Sequence, residues 1–210
     1  MNLEILYQDD YLIAVNKPGG LLSVPGRGED KQDCVITRLQ RTFPAIRVVH
    51  RLDCHTSGVM IAAIGAEMQR RLSRLFHDRQ MNKTYVALVE GNVGRRSGII
   101  DCPLRGDPDN RPKQVIDHAA GKSAQTHWRL LRYQIGSDRP LSRLQLQPIT
   151  GRTHQLRVHC MAMGHPIVGD SLYNDSNSPG AARMMLHAED LTFMHPVSSA
   201  WIKLQAACEF

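Results

Sequence analysis

Ser142-Arg143-Leu144-Gln145-Leu146-Gln147-Pro148-Ile149 sets apolar Leu144 and Leu146 between polar neighbours. That period of two belongs to an antiparallel strand with one face buried and the other wet. Strands are also predicted upstream over 84–90 and 124–135, and downstream near 184–193 and 200–204. A helix over 153–163, stopped by Gly164, lies between. At the N-terminal end, 3–7 and 11–15 form two short strands around Gln8-Asp9-Asp10. Lys17-Pro18-Gly19-Gly20 ends the second, and 23–28 is a loop. Asp33 is a candidate cap for a helix reaching Thr42, with Pro44 as its stop, and 59–64 reads as a buried strand. Over 66–79, Met68, Leu72, Leu75 and Phe76 recur at helical spacing while Arg70, Arg71 and Arg74 fall elsewhere, which gives a helix with a basic outer surface. Strands mixed with few helices and hairpin-like connections predict an α+β fold with a mainly antiparallel sheet, organised as one domain over 1–210.

Composition narrows the function. The longest uninterrupted apolar run is 59–64, far short of a membrane span, and Met1-Asn2-Leu3-Glu4 lacks the features of a signal peptide. Five scattered cysteines without a C-x-x-C suit reduced thiols in a cytoplasm. The net charge is +6, and a polyanionic partner would explain it. Between Arg38 and Lys83 nine basic residues face three acids (Asp53, Glu67 and Asp78), so this stretch accounts for the whole excess. Eight of the nine are arginine, the side chain that grips phosphate bidentately and stacks on bases.

Two polar constellations stand out. His50-Arg51-Leu52-Asp53-Cys54-His55-Thr56-Ser57-Gly58 precedes a buried strand, where a rigid scaffold displays reactive groups. Gly151-Arg152-Thr153-His154-Gln155-Leu156-Arg157-Val158-His159 opens a helix after a strand. Taken singly, each stretch reads first as structural ion pairing, through Arg51 and Asp53 or Arg152 and Arg157. His154 and His159 are five apart and off a common helical face, and no neighbouring cysteine completes a tetrahedral set, so no metal site is expected. A serine hydrolase is disfavoured by the lack of Gly-x-Ser-x-Gly.

Five stretches in order resemble the RluA-type pseudouridine synthases. They are 15–26, His50-Arg51-Leu52-Asp53 with Thr56-Ser57-Gly58, Lys83-Thr84-Tyr85-Val86-Ala87, the 151–159 stretch, and Gly164-His165-Pro166-Ile167-Val168-Gly169-Asp170. The resemblance implies an isomerase that detaches uracil from C1′ of a uridine in RNA and reattaches it through C5. It makes Asp53 the essential carboxylate, which would stabilise an oxocarbenium-like sugar, attack C1′ or remove a sugar proton. It assigns Arg157 as the guanidinium that keeps Asp53 ionised, and Tyr85 as the phenol that contacts the base and takes part in proton removal at C5. Arg51 matches the arginine that helps fill the space left by the flipped uridine. Arg152 is a candidate phosphate contact and Leu156 a packing contact for the base, while Arg70, Arg71 and Arg74 are candidate RNA-facing residues. His50 and His55 are expected to be structural or peripheral, because the chemistry needs no imidazole.

The isomerisation changes no oxidation state and transfers no group, so neither cofactor nor metal is expected. Only 49 residues precede His50, which leaves no room for an extra N-terminal RNA-binding domain. This short length, with 21–26 and Asn110-Arg111-Pro112-Lys113-Gln114, is most similar to family members acting on both a tRNA anticodon stem-loop and large-subunit rRNA. The expected protein is monomeric, with no membrane contact and no obligate protein partner. Two other classes stay open on sequence alone. A non-catalytic RNA-binding or ribosome-assembly protein would use the same basic surface, and an RNA glycosidase would release free uracil.

Overall fold

Short apolar runs separated by Gly, Pro and Asp turns favour pairing between strands near in sequence, and longer-range pairs join these hairpins. The computed structural model describes residues 3–135, 139–174 and 183–210. In chain order the elements are β1 (Glu4–Gln8), β2 (Leu12–Lys17), α1 (Val35–Gln40), β3 (Ile46–Val48), β4 (Ser57–Ile64) and α2 (Ala66–His77). There follow β5 (Asn82–Glu90), β6 (Ser97–Asp101), β7 (Leu104–Gly106), β8 (Gln114–Ile116), β9 (Gln125–Ile135), β10 (Pro140–Pro148), α3 (Gln155–Ala162), β11 (Leu186–Met194) and β12 (Trp201–Gln205). No helix among the described residues is long and apolar enough to cross a membrane.

The chain divides into two compact units, Met1–Lys83 with His187–Glu209, and Thr84–Leu186 with Phe210. In the first, β2 pairs antiparallel with both β1 and β4, and β3 lies antiparallel on the same β4. β4 and β11 form a parallel pair through His187↔Ser57 and Ala188↔Gly58, and β12 returns antiparallel on β11. Close approach there demands glycine: Gly58 has φ 108°, and a Cβ on it would lie 2.1 Å from the Ala188 carbonyl oxygen. Leu12, Val59, Ile61, Met68, Leu72, Leu191 and Phe193 fill the core of this unit.

In the second unit β10 pairs antiparallel with β5 on one side and β9 on the other, β6 continues from β9, and β7 pairs with β8. Its core joins Ala87, Val89, Trp128, Leu144 and Leu146 from the strands to Leu156 and Cys160 of α3. The mainly antiparallel α+β architecture predicted from the sequence is the one observed. Three helix boundaries differ from expectation. Cys34, not Asp33, caps α1, through reciprocal bonds with Thr37 (Thr37 N to Cys34 Sγ 3.4 Å, Cys34 N to Thr37 Oγ1 3.0 Å). Asp33 is instead taken by Arg38 in a two-bond pair. α2 ends at His77, two residues before Arg79, which adopts φ 58°. α3 starts at Gln155 rather than Thr153, because His154 takes a left-handed conformation with φ 53°.

Candidate active site

Asp53 sits half-buried in the turn between β3 and β4, and the peptides on both sides of it are tied to the body of the first unit. On the N-terminal side, buried Ser23 brackets Leu52: its Oγ donates to the Leu52 carbonyl at 2.7 Å and accepts from the Leu52 amide at 3.1 Å. On the C-terminal side, the Cys54 carbonyl accepts from Gly20 N at 2.9 Å and from Lys17 Nζ at 2.8 Å. The turn is closed by Thr56 N donating to the Asp53 carbonyl at 3.1 Å. A carboxylate meant to act on one atom of a substrate needs this kind of fixed backbone.

Lys17 is the residue that composition and motif reading passed over. It ends β2 opposite Gly58, is fully buried, and spends its three donors on the carbonyls of Pro18, Leu21 and Cys54. Burial pushes its pKa down to about 8, while the charges of Cys54 and Asp53 oppose that fall. The ammonium thus holds two loops together and places a positive charge near the Asp53 turn at neutral pH. Its only sequence signal was a lysine ending an apolar strand, a pattern that normally means a snorkelling side chain.

His50 of this motif is structural. His50 accepts from Ile61 N at 3.0 Å and stacks on Phe76 with centroids 4.5 Å apart. Enclosure of its ring, and secondarily the charge of Lys83, push its pKa down to about 3. A histidine whose folded pKa lies below its ordinary 6.5 contributes stability that is complete above pH 6.5 and is lost as pH falls toward 3. His50→Gln keeps an acceptor for Ile61, so its unfolding free energy is expected to depend less steeply on pH between 6.5 and 4. The difference in slope should approach, at most, about 1.4 kcal/mol per pH unit, measured by urea titrations across that range. Equal slopes would show that His50 is solvated. Ser57 Oγ and His187 Nδ1 lie 2.8 Å apart, and His187 Nε2 lies 3.1 Å from the Ala206 carbonyl, so this Ser–His contact locks β4 to β11. Arg51 and His55 are exposed.

In the second unit, the 151–159 stretch is organised by Gln155. Its Oε1 accepts from Thr150 Oγ1 at 2.7 Å and Arg152 N at 3.0 Å, and its Nε2 donates to Gln125 O and Thr126 Oγ1. His154 Nδ1 contacts the Tyr173 hydroxyl at 2.7 Å. Gln114 N donates to that same hydroxyl, also at 2.7 Å, so the Tyr173 oxygen links Gln114 to His154. This bond holds His154 in its left-handed conformation and sets the start of α3. Arg157 is buried on the first turn and binds Asp170 in parallel, Nε to Oδ2 and Nη2 to Oδ1, both at 2.7 Å. Its guanidinium also lies 5.0 Å from the centre of the Tyr173 ring. Asp170 accepts in addition from the amides of Leu172 and Tyr173. The ion-pair reading of this stretch therefore holds for Arg157, with an acid from outside the stretch. Arg152 donates through Nε to the Ser123 carbonyl at 3.0 Å. Leu156 is buried in the core, and Tyr85 packs half-buried against the same cluster, opposite Leu146. His159 is enclosed between Thr126 Oγ1 and the Cys102 carbonyl, and burial lowers its pKa. Among the described residues no group of three His, Cys, Asp or Glu side chains is placed to hold a metal.

Asp170 and Tyr173 were not singled out as site residues by sequence reading. A buried arginine calls for a counter-charge, but nothing along the chain says which acid supplies it.

Comparison with known proteins agrees with the motif order. The sequence model of the family described as RNA pseudouridylate synthase matches residues 11–162. The dual-specificity RNA pseudouridine synthase RluA of Escherichia coli K12 is 46% identical over 209 residues, covering 99% of this chain and 94% of that protein. The protein of that name from Yersinia pestis is 46% identical over 208 residues, covering 98% and 99%. Among solved structures, human RNA pseudouridylate synthase domain containing 1 superposes with a TM-score of 0.83 at 31% identity, covering 98% of this chain and 83% of that one. With a matched model across most of its length and relatives this similar, the chain belongs to the RNA pseudouridylate synthase family and is an RNA-modifying isomerase.

Proposed function

We propose that this protein converts one uridine of a tRNA anticodon stem-loop and one uridine of large-subunit rRNA to pseudouridine, with Asp53 as the essential carboxylate. The observation that carries the reading is the Asp53 turn, whose flanking peptides are pinned by Ser23, Gly20 and Lys17. The dual substrate is supported by the near full-length similarity to relatives named for dual specificity. In the proposed reaction the C1′–N1 bond breaks with Asp53 serving the sugar, the uracil turns, a C1′–C5 bond forms, the C5 proton leaves with help from the Tyr85 phenol, and N1 takes up a proton from solvent in exchange. Atoms and electrons balance within the nucleotide, so the reaction calls for no cofactor or metal. Arg157, held in one orientation by Asp170, supplies the fixed positive charge, and Arg51 helps fill the space of the flipped base. Arg152 contacts phosphate and Leu156 supports the base. The two units act as one catalytic domain in a monomer without an obligate protein partner. The five scattered cysteines, without a C-x-x-C, support a cytoplasmic location.

The direct test incubates the pure protein with unmodified tRNA and rRNA transcripts and maps pseudouridine by carbodiimide-dependent reverse-transcription stops. A stop in each RNA supports the reading. Free uracil in place of pseudouridine would make the protein a glycosidase, and binding without either product would make it a non-catalytic RNA-binding protein.

We also propose that Arg70, Arg71 and Arg74 of α2 face the RNA. Arg70 and Arg71 share Glu67, at 2.5 and 3.0 Å, and remain 72% and 47% exposed. Each phosphate contact contributes roughly 0.7–0.9 to the logarithmic salt slope of binding. Replacing all three by Gln should therefore flatten the slope by about one to two units, less than a full three because Glu67 competes for two of them. Equilibrium binding of an anticodon stem-loop over a salt series measures this. An unchanged slope would place these arginines in bulk solvent.

A further inference from the structure

The stretch from Arg38 to Lys83 carries an excess equal to the whole net charge, yet folding gathers a second basic surface from the remainder of the chain, which is neutral only as a sum. No acidic residue occurs in 91–100, 126–135 or 140–149, the segments that supply most of β6, β9 and β10. Asp101 is the one acid in these three strands, at the end of β6, where it accepts from Gln125 Nε2. Register fixes what shares a face, since cross-strand partners project to the same side. Leu144 and Leu146 point into the core with Trp128. On the opposite side Gln145, Arg129 and Ser97 form one row, and Gln147, His127 and Ile99 the next. Arg129 and Arg132 are exposed there, and Ile99 is 62% exposed.

Arg132 lies directly opposite Arg143, whose guanidinium is turned over the Phe210 ring at 5.5 Å. Like charges paired across a ladder destabilise a sheet, and an acid at either position would serve folding better. A surface shaped only for solubility mixes signs evenly, whereas this one sets Arg129 and Arg132 against a single acid, Asp101, one row beyond exposed Ile99 on the same face. Arg95 and Arg96, both exposed, extend it along the edge, where the Arg96 carbonyl accepts from Leu130 N at 2.8 Å.

We propose that the outer face of β9 and β6, centred on Arg129 and Arg132, is a second RNA-contact surface that grips backbone phosphates without reading sequence. This rests on the reading of the chain as an enzyme of RNA. Guanidinium groups with one acid at the end of their face bind phosphate oxygens in pairs of parallel bonds, and Ile99 supplies apolar contact for a sugar or base. The surface adds affinity and leaves the chemical step untouched.

The test is equilibrium binding of an unmodified tRNA transcript over a salt series, with turnover read in parallel by tritium release from 5-tritiated uridine. The variants are Arg129→Gln with Arg132→Gln, the same two positions changed to Lys, and Gln147→Glu. The Gln pair should flatten the logarithmic salt slope by about 1.4–1.8 units, raise KM several-fold and leave kcat unchanged. The Lys pair should keep the slope. Gln147→Glu, which adds a repelling charge to an exposed position and removes no cation, should weaken binding at low salt and match wild type at high salt. An unchanged slope in the Gln pair overturns the proposal. So does equal behaviour of the Gln and Lys pairs with a lowered melting temperature, which would mark a structural role. Wild-type protein that binds but does not isomerise would overturn the activity reading instead, and the slope comparison would still decide this surface.

Discussion

Asp53→Asn is expected to reduce isomerisation by more than about a thousandfold while leaving RNA affinity within a few-fold of wild type. Asparagine fills the same space and keeps one carbonyl oxygen, so the turn held by Ser23, Gly20 and Lys17 should survive the change. What disappears is the negative charge, and with it every role open to the group at C1′: a nucleophile, a base for a sugar proton, or a counter-ion to an oxocarbenium-like sugar. Tritium release from 5-tritiated uridine RNA measures the chemistry, and a gel shift measures binding. Appreciable turnover by the variant would remove Asp53 from the mechanism. Loss of binding alongside turnover would point to a contact with RNA rather than to chemistry.

Asp170→Ala is expected to cost about 3–5 kcal/mol of stability, the largest effect on folding of any single change considered. The substitution removes a buried two-bond partner of Arg157 and leaves the amides of Leu172 and Tyr173 without their acceptor. Asp170→Asn should cost less, because its carbonyl oxygen still accepts one bond. Urea unfolding of both variants tests this: the midpoint should fall in the order wild type, Asn, Ala, with unchanged m-values. A loss below about 1 kcal/mol in the Ala variant would mean that solvent reaches the pair and screens it. Since Asp170 also fixes the orientation of Arg157, the Asn variant should lose turnover in greater proportion than it loses stability.

Much of the fold is legible in the sequence because strand and helix leave different periods in it. The alternation around Leu144 and Leu146 and the spacing of Met68, Leu72, Leu75 and Phe76 each predict an element that the structure contains. β3, β7 and β8 were not predicted; each is three residues long, too short to show any period. β6 was missed for a different reason: Ser97-Gly98-Ile99-Ile100-Asp101 contains a glycine and exposes Ile99, so its pattern is blurred. The candidate site is legible where it is local. The 50–58 stretch announces Asp53, and 151–159 announces Arg157. Lys17 and Asp170 were not, because their roles are defined by partners 37 and 13 residues away. The arginine face of β9 was hidden for the opposite reason: averaging charge along the chain adds acids that folding places elsewhere.

Burial of Lys17 has a consequence for how the protein comes apart. Its ammonium is satisfied only when the carbonyls of residues 18, 21 and 54 are all in place. Opening the Asp53 turn alone would strand that charge in the core, so the turn cannot fray as an ordinary surface loop does. It belongs to the same cooperative unit as β2 and β4. Amide protons of Gly20 and Leu52 should then exchange with solvent on the timescale of whole-unit unfolding. A form with an intact sheet and a loose Asp53 is thereby disfavoured, and the carboxylate of the proposed site is ordered together with the core of this unit.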